Sequence, residues 1–145
     1  MVISTNKRAY FDYEILETYE AGIELSGAEV KSIRTGRINL AGSYVLIRGN
    51  NIRLLNADIP PFQPKNTPED YNSKRTRRLL LNKSEIKNLI GKIHEKGLTL
   101  MPLKVYTKNR KIKIEIGLAK SRKKADKREF IKKRDMKREF KGLKV

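Results

Sequence analysis

Residues 98–120 read "LTLMPLKVYTKNRKIKIEIGLAK". The second half alternates strictly: Ile112, Ile114, Ile116 and Leu118 take one face, and Lys111, Lys113, Glu115 and Gly117 take the other. Side chains along a strand point to opposite faces in turn, so one face is core and the other is wet and basic. Residues 98–106 supply a partner strand, joined to it by a short loop around Lys108-Asn109-Arg110. A hairpin with one apolar face must bury that face against further sheet or helix, and the rest of the chain decides which.

The neighbouring segments provide mostly sheet, so the fold class is mainly β. "SYVLIRGNNIRLLNADI" (43–59) reads as a second hairpin, with strands at 43–48 and 52–59 around Gly49-Asn50-Asn51. "YEILETY" (13–19) alternates as a half-buried strand, and "IEL" (23–25) resumes it after Ala21-Gly22, read as a turn or bulge. Ser26 precedes Glu29 by three, the spacing of a capping box, and opens a short helix with Val30 and Ile33 inward and Gly36 as its stop. Asn82 precedes Glu85 in the same way, and Ile86, Leu89, Ile90 and Ile93 form a helical stripe ending at Gly97. Between these elements "PPFQPKNTPEDYNSK" (60–74) is a long loop. Six short strands, mostly in hairpins, with two inserted helices predict a small OB-like β-barrel, closed or nearly closed, over residues 1–119.

Length and charge narrow the function. The 145 residues suffice for one domain, but hydrophobic content of 38% lies below the globular norm and charged content of 34% above it. A net charge of +18 calls for a polyanion: RNA, DNA or an anionic membrane. No apolar run approaches the roughly 20 residues that span a bilayer. The start, "MVISTNKRAY", lacks the apolar stretch of a signal peptide, and the absence of cysteine fits a reducing cytosol. Half of the charge sits in residues 120–145, which hold thirteen Lys and Arg against four Asp and Glu, a net of +9. Phe130, Met136 and Phe140 make no continuous stripe there. Such a tail is expected to be disordered when free and helical on a polyanion.

Catalysis finds little support. The one histidine, His94, falls in the last turn of a predicted helix, where a cation suits the helix dipole. Asp12, Glu14, Glu17, Glu20, Glu24 and Glu29 could hide a carboxylate pair, but several sit at strand alternation, where solvated carboxylates are common. No phosphate loop, zinc-protease motif or nucleophile elbow is present, so an enzyme is not expected. Basic groups suited to phosphates cluster instead: Lys7, Arg8, Lys31, Arg34 and Arg37 early, Lys74 to Arg78 before the second helix, and Lys108 to Lys113 on the last hairpin. Tyr19, Tyr44 and Tyr106 add aromatic faces on or beside strands, although such tyrosines often only pack.

Three segments carry a resemblance. "NKRAYFDYEILETYEAGIELSGAEVKSIRTG", "RRLLLNKSEIKNLIGKIHEKGLTLMPLKVY" and "IEIGLAKSRKKADKRE" are similar, in order, spacing and glycine positions, to the SsrA-binding protein family, small protein B of bacteria. The likeness runs from about Asn6 to Glu129. It implies an OB-like barrel that binds the tRNA-like domain of transfer-messenger RNA (tmRNA) and delivers it to ribosomes stalled on messages without a stop codon. The alanyl-charged RNA then accepts the stalled peptide and encodes a degradation tag, in trans-translation. The resemblance further implies action in the cytoplasm, as a monomer, without cofactor, metal or small-molecule substrate.

By position, the resemblance implies RNA-binding roles for Glu20, Leu80 and Lys113, and makes Lys31 and Arg34 phosphate contacts. It also implies a ribosomal role for the tail (120–145), which enters the decoding centre and the empty message channel and folds as a helix against small-subunit RNA. Lys120, Arg122, Lys123, Asp126, Lys127 and Arg128 match that motif. Ser121, Ala125 and Asn72-Ser73 depart from the family's usual Gly, Tyr or His, and Asp-Pro. Two other readings share part of this pattern. A structural ribosomal protein would thread its tail through ribosomal RNA, and an RNA-processing enzyme would need two of the early glutamates to converge on a metal.

Overall fold

Two tight turns set the hairpins. In the computed structural model, which describes the backbone of residues 1–143 and the side chains of 1–123 and 127–137, Asn109 and Arg110 both have positive φ, at 51° and 66°. Consecutive left-handed residues give the primed turn whose twist matches that of the flanking strands. This turn joins β6 (Thr99–Lys108) to β7 (Lys111–Ser121). Gly49, at φ 58°, lies in the turn between β3 (Tyr44–Arg48) and β4 (Asn51–Leu55).

The remaining strands are β1 (Val2–Thr5), β2 (Tyr13–Ile23) and β5 (Arg77–Leu80). All seven form one sheet in the order β1-β6-β7-β2-β5-β4-β3, with every neighbouring pair antiparallel. The sheet curls until Val45 and Ile47 of β3 share an apolar groove with Leu98 and Leu100 at the start of β6. β3 and β6 are not hydrogen-bonded neighbours, so the barrel is nearly closed rather than closed. Ile114, Ile116 and Leu118 face inward, as their alternation requires, and meet Leu54, Ile59 and Leu89, each at most 1% exposed.

Four helices decorate this sheet: α1 (Lys7–Asp12), α2 (Gly27–Arg34), α3 (Lys83–Lys96) and α4 (Lys124–Leu143), with a 3-10 turn at Pro64–Asn66 inside the long loop. The cap spacings act as expected. Ser26 accepts from the Glu29 amide while the Glu29 side chain accepts from the Ser26 amide, and Asn82 accepts from the Glu85 amide. Each such cap stabilises its helix by about 1 kcal/mol. Gly36 (φ 84°) and Gly97 (φ 60°) follow the last turns in left-handed geometry.

Several elements differ from the sequence reading. Ala21-Gly22 is neither turn nor bulge: β2 runs straight through it to Ile23, taking in only the first residue of the expected strand at 23–25, and its irregularity lies between Ile15 and Glu17. β1, α1 and β5 were not anticipated, which turns six strands and two inserted helices into seven strands and three. β7 continues through Ser121, two residues past 119, and the Arg122 amide still donates to the Asp12 carbonyl.

The basic tail forms α4, and among the described residues its start leans on the body. Phe130 meets Phe11 of α1 edge-on at 6.2 Å, and Lys127 lies 3.3 Å from the Asp12 carboxylate. From Lys132 to Lys137 every side chain is exposed. The sequence reading expects this segment to be disordered when free, whereas the backbone here is helical over Lys124–Leu143; a helix without a packed face gains little beyond its local propensity. The side chains of Asp126 and Phe140 lie outside the described residues.

Candidate nucleic-acid interface

The outer face of β7 and its neighbours gathers most of the expected contacts. Register places Lys113 of β7 beside Tyr106 of β6 on one side and Gly22 of β2 on the other. Gly22 in turn pairs with Leu80 of β5. Leu79 points into the core at 2% exposure, so Leu80 must point out, and it is 47% exposed. A Cβ on Gly22 would stand 3.2 Å from the Leu80 Cβ; the glycine lets that leucine lie flat against the sheet.

Gly22, Leu80, Lys113, Lys111, Arg34 and Arg110 line one open groove of about 370 Å³ whose floor is partly apolar, through Ile23 and Ile112. Arg34 reaches it from α2 by donating from Nη2 to the Arg110 carbonyl at 2.8 Å, which braces the left-handed turn residue. Lys111 and Lys113 have no ion pair or hydrogen bond among the described residues. Lys31 does not join them: it lies along another groove, with Phe62 and Tyr71 of the long loop.

Glu20 sits on the same outer face and is held in place. The Tyr106 hydroxyl donates to its Oε2 at 2.7 Å, and the Lys108 ammonium donates to the same oxygen at 3.3 Å. The Tyr106 bond, with Lys108 and the nearby Lys113, keeps the Glu20 carboxyl below the usual carboxylate range. Burial, then the Glu20 carboxylate, push the Tyr106 hydroxyl well above the usual phenol range. The result is an ionised acceptor fixed among cations. Phosphates have no use for it, but a base amino group or a ribose 2′-hydroxyl can donate to it. Tyr106 therefore does more than pack, and only the fold reveals this, because 86 residues separate it from Glu20.

The other early carboxylates scatter. Glu17 pairs with Lys92 at 2.7 Å, Glu24 approaches Arg78 at 3.8 Å, and Asp12 serves Arg8 and Lys127. Glu29 is buried with Arg77. Among the described residues no three metal-ligating side chains come together. His94 is exposed at the end of α3, as expected.

The tail residues divide among the end of β7, the link at 122–123 and the start of α4. Lys120 stands opposite Glu14 at the end of β7. Arg122 donates from Nε to the Tyr13 carbonyl at 3.1 Å and lies over the Phe130 ring at 4.8 Å. Lys123 and Arg128 are exposed, and Lys127 pairs with Asp12.

A curled antiparallel sheet with unpaired cations, an apolar strip and one fixed carboxylate on its outer face defines a small β protein of the RNA-binding class. The SmpB protein family model matches residues 3–144, and the chain belongs to that family. It is 54% identical to the SsrA-binding protein of Persephonella marina over 139 residues, covering 96% of this chain and 91% of that protein. It is 52% identical to the SsrA-binding protein of Trichodesmium erythraeum over 137 residues, covering 94% and 88%. A solved structure described as "tmRNA-SmpB: a journey to the center of the bacterial ribosome" superposes with a TM-score of 0.68 at 45% identity, covering 83% of this chain and 85% of that one.

Proposed function

We propose that this protein binds the tRNA-like domain of tmRNA through the outer face of β2, β5 and β7 and delivers it to stalled ribosomes for trans-translation. The observation that carries the reading is convergence: Leu80, Lys113 and Arg34 line one groove, and Glu20 stands on the same face held by Tyr106. Lys113 and Arg34 supply charge for phosphates, Leu80 a flat apolar surface for a ribose or an unstacked base, and Glu20 an acceptor that phosphate cannot satisfy. Lys31 contributes from the side as a phosphate contact outside the groove.

The tail supplies the ribosomal step. Its +9 charge and exposed Lys132–Lys137 stretch suit a channel walled by phosphates, such as the decoding centre and the vacant message path. Lys120, Arg122, Lys123, Asp126, Lys127 and Arg128 form its entry. Arg122 and Lys127 also hold the first turns of α4 against the body, so they orient the tail as well as charge it. The cationic tail and barrel work by binding alone, in the cytoplasm, with no bond made or broken by the protein.

The test compares full-length protein with a truncation after Lys123, which spares β7 and the Arg122 contact to Tyr13. Each is titrated at physiological salt against the tRNA-like domain and an unrelated RNA hairpin. Tight binding of the tRNA-like domain by both, with weak hairpin binding, supports the barrel as the specific reader. Loss of discrimination in both, or collapse of binding with the tail, overturns it.

A further inference from the structure

The groove at Gly22 does not end the basic surface. On β4 and β5, Arg53 stands directly opposite Arg78, and Ile52 opposite Leu79. That register brings Asn51 level with Leu80, and Asn51 pairs with Arg48 of β3. One cross-strand row thus runs from Tyr106 through Lys113, Gly22, Leu80 and Asn51 to Arg48. Leu46, 43% exposed, lies opposite Arg53 in the next row. Arg48, Arg53, Leu46 and Leu55 line an open groove of about 440 Å³ on the same outer side.

These arginines are not serving the fold. Arg48 and Arg53 have no ion pair or hydrogen bond among the described residues, and Arg78 has only the 3.8 Å approach to Glu24. Like charges set directly opposite across two strands destabilise a sheet. Phosphates arriving along the row would relieve that repulsion. Strands are about 4.8 Å apart, so Arg48 lies four strand spacings, about 19 Å of arc, from Lys113. A single RNA helix following the curved face can touch both.

We propose that the RNA footprint continues past Leu80 onto β5, β4 and β3, where Arg78, Arg53 and Arg48 hold the phosphate backbone of the same RNA that fills the Gly22 groove. This rests on the reading above that the groove binds the tRNA-like domain. Leu46 lends the track an apolar surface for a ribose, and no base-specific contact is assigned to it.

The experiment titrates the tRNA-like domain at several salt concentrations with the full chain, with Arg48→Gln/Arg53→Gln, with Arg48→Lys/Arg53→Lys, and with Lys113→Ala. The glutamine pair should lower the slope of log affinity against log salt by about 2, since each lost phosphate contact removes somewhat less than one unit to about one. The lysine pair should restore most of the slope. Thermal melting of the glutamine pair should be unchanged or higher, because a like-charge pair is gone. If Lys113→Ala weakens binding while the folded glutamine pair leaves slope and affinity intact, the arginines are only a solvated face and the inference falls. An effect on ribosome binding alone also overturns it, because the track is assigned to the same RNA. If neither Lys113→Ala nor the glutamine pair matters, the groove itself has been misread and the proposed function fails with it.

Discussion

Arg77 donates from Nε to Oε2 of Glu29 at 2.7 Å, and its Nη2 lies 2.6 Å from the same oxygen, with neither side chain more than 2% exposed. The other oxygen, Oε1, accepts from Arg75 at 2.6 Å and from the Ser26 amide at 2.9 Å. Arg77 also donates from Nη1 to the Ala57 carbonyl and from Nη2 to the Ser73 carbonyl. One ion pair thus ties α2 to β5 and to both ends of the long loop, and so fixes the strand that presents Leu80. Glu29→Ala would leave the Arg77 charge buried with carbonyls but no carboxylate. The expected loss is about 3–5 kcal/mol, seen as a fall in urea midpoint without a change in its slope. Glu29→Gln, which keeps the shape and some acceptor capacity, should cost less.

The same pair sets an acid limit. Burial alone would raise the Glu29 carboxyl, but Arg75, the Ser26 amide and Arg77 outweigh it and hold the carboxyl below its usual range. A carboxyl lowered on folding contributes stability above its unfolded pKa of about 4.3 and loses it as pH falls through the folded value. Stability should therefore be flat above about pH 5 and decline below it. Glu29→Gln should flatten part of that decline, read from urea midpoints between pH 6 and 3. An unchanged profile would mean that other carboxylates carry the acid transition.

Leu80 and Gly22 should behave as a unit. Leu80→Ala removes an exposed surface, so its stability cost should stay within about 0.5 kcal/mol while affinity for the tRNA-like domain drops. Gly22→Val puts branched carbons where a Cβ is already 3.2 Å from that of Leu80, forcing the leucine away from the sheet. Its binding defect should match or exceed that of Leu80→Ala, and the double variant should be no worse than Gly22→Val alone. Additive losses would show that the two residues act separately.

How much of this was legible in the sequence follows from how local each signal is. Ile112 to Leu118 and the Asn82–Glu85–Gly97 frame announce themselves within one element, because period and capping are local physics. β5 does not. Its residues Arg77-Arg78-Leu79-Leu80 alternate buried, exposed, buried, exposed, but the first buried side chain is an arginine and the last exposed one a leucine. Polarity therefore blurs the period of two, and the strand hid in a basic run. Ser26–Glu29 was readable as a cap, whereas the ion pair to Arg77 spans 48 residues. Gly22 carried a usable signal, since glycine inside a strand can mark close approach of a neighbour as well as a bulge. Of the groove, Lys113 was legible from alternation, Leu80 was placed only by the family resemblance, and Tyr106 needed the fold to meet Glu20.

Tyr106 should matter through Glu20. Tyr106→Phe keeps the ring and removes the bond that orients the carboxylate, so discrimination between the tRNA-like domain and an unrelated hairpin should fall several-fold. The salt dependence should hold, because no cation is lost. In a Glu20→Gln background the Tyr106→Phe change should have little further effect, since the group it positions is already altered. Equal losses in both backgrounds would mean that Tyr106 contacts RNA on its own account.

The start of α4 provides the last test. Phe130 stands against Phe11 at 6.2 Å and under the Arg122 guanidinium at 4.8 Å, while Lys127 faces Asp12. These contacts involve an aromatic pair, a cation over a ring and one partly exposed ion pair, each worth about 1 kcal/mol or less. Together they can hold the first two turns of a helix but not the exposed stretch that follows. Amide exchange in the free protein should therefore show protection at about 127–131, where the amides first find acceptors in the preceding turn, and rapid exchange beyond. Phe130→Ala should abolish the protected part without lowering affinity for the tRNA-like domain, because the Gly22 groove lies on other strands. Delivery to the ribosome should suffer, since a tail released at its root enters the channel from many directions. If Phe130→Ala leaves ribosome-dependent tagging intact, the anchoring of α4 has no part in guiding the tail, and charge alone directs it.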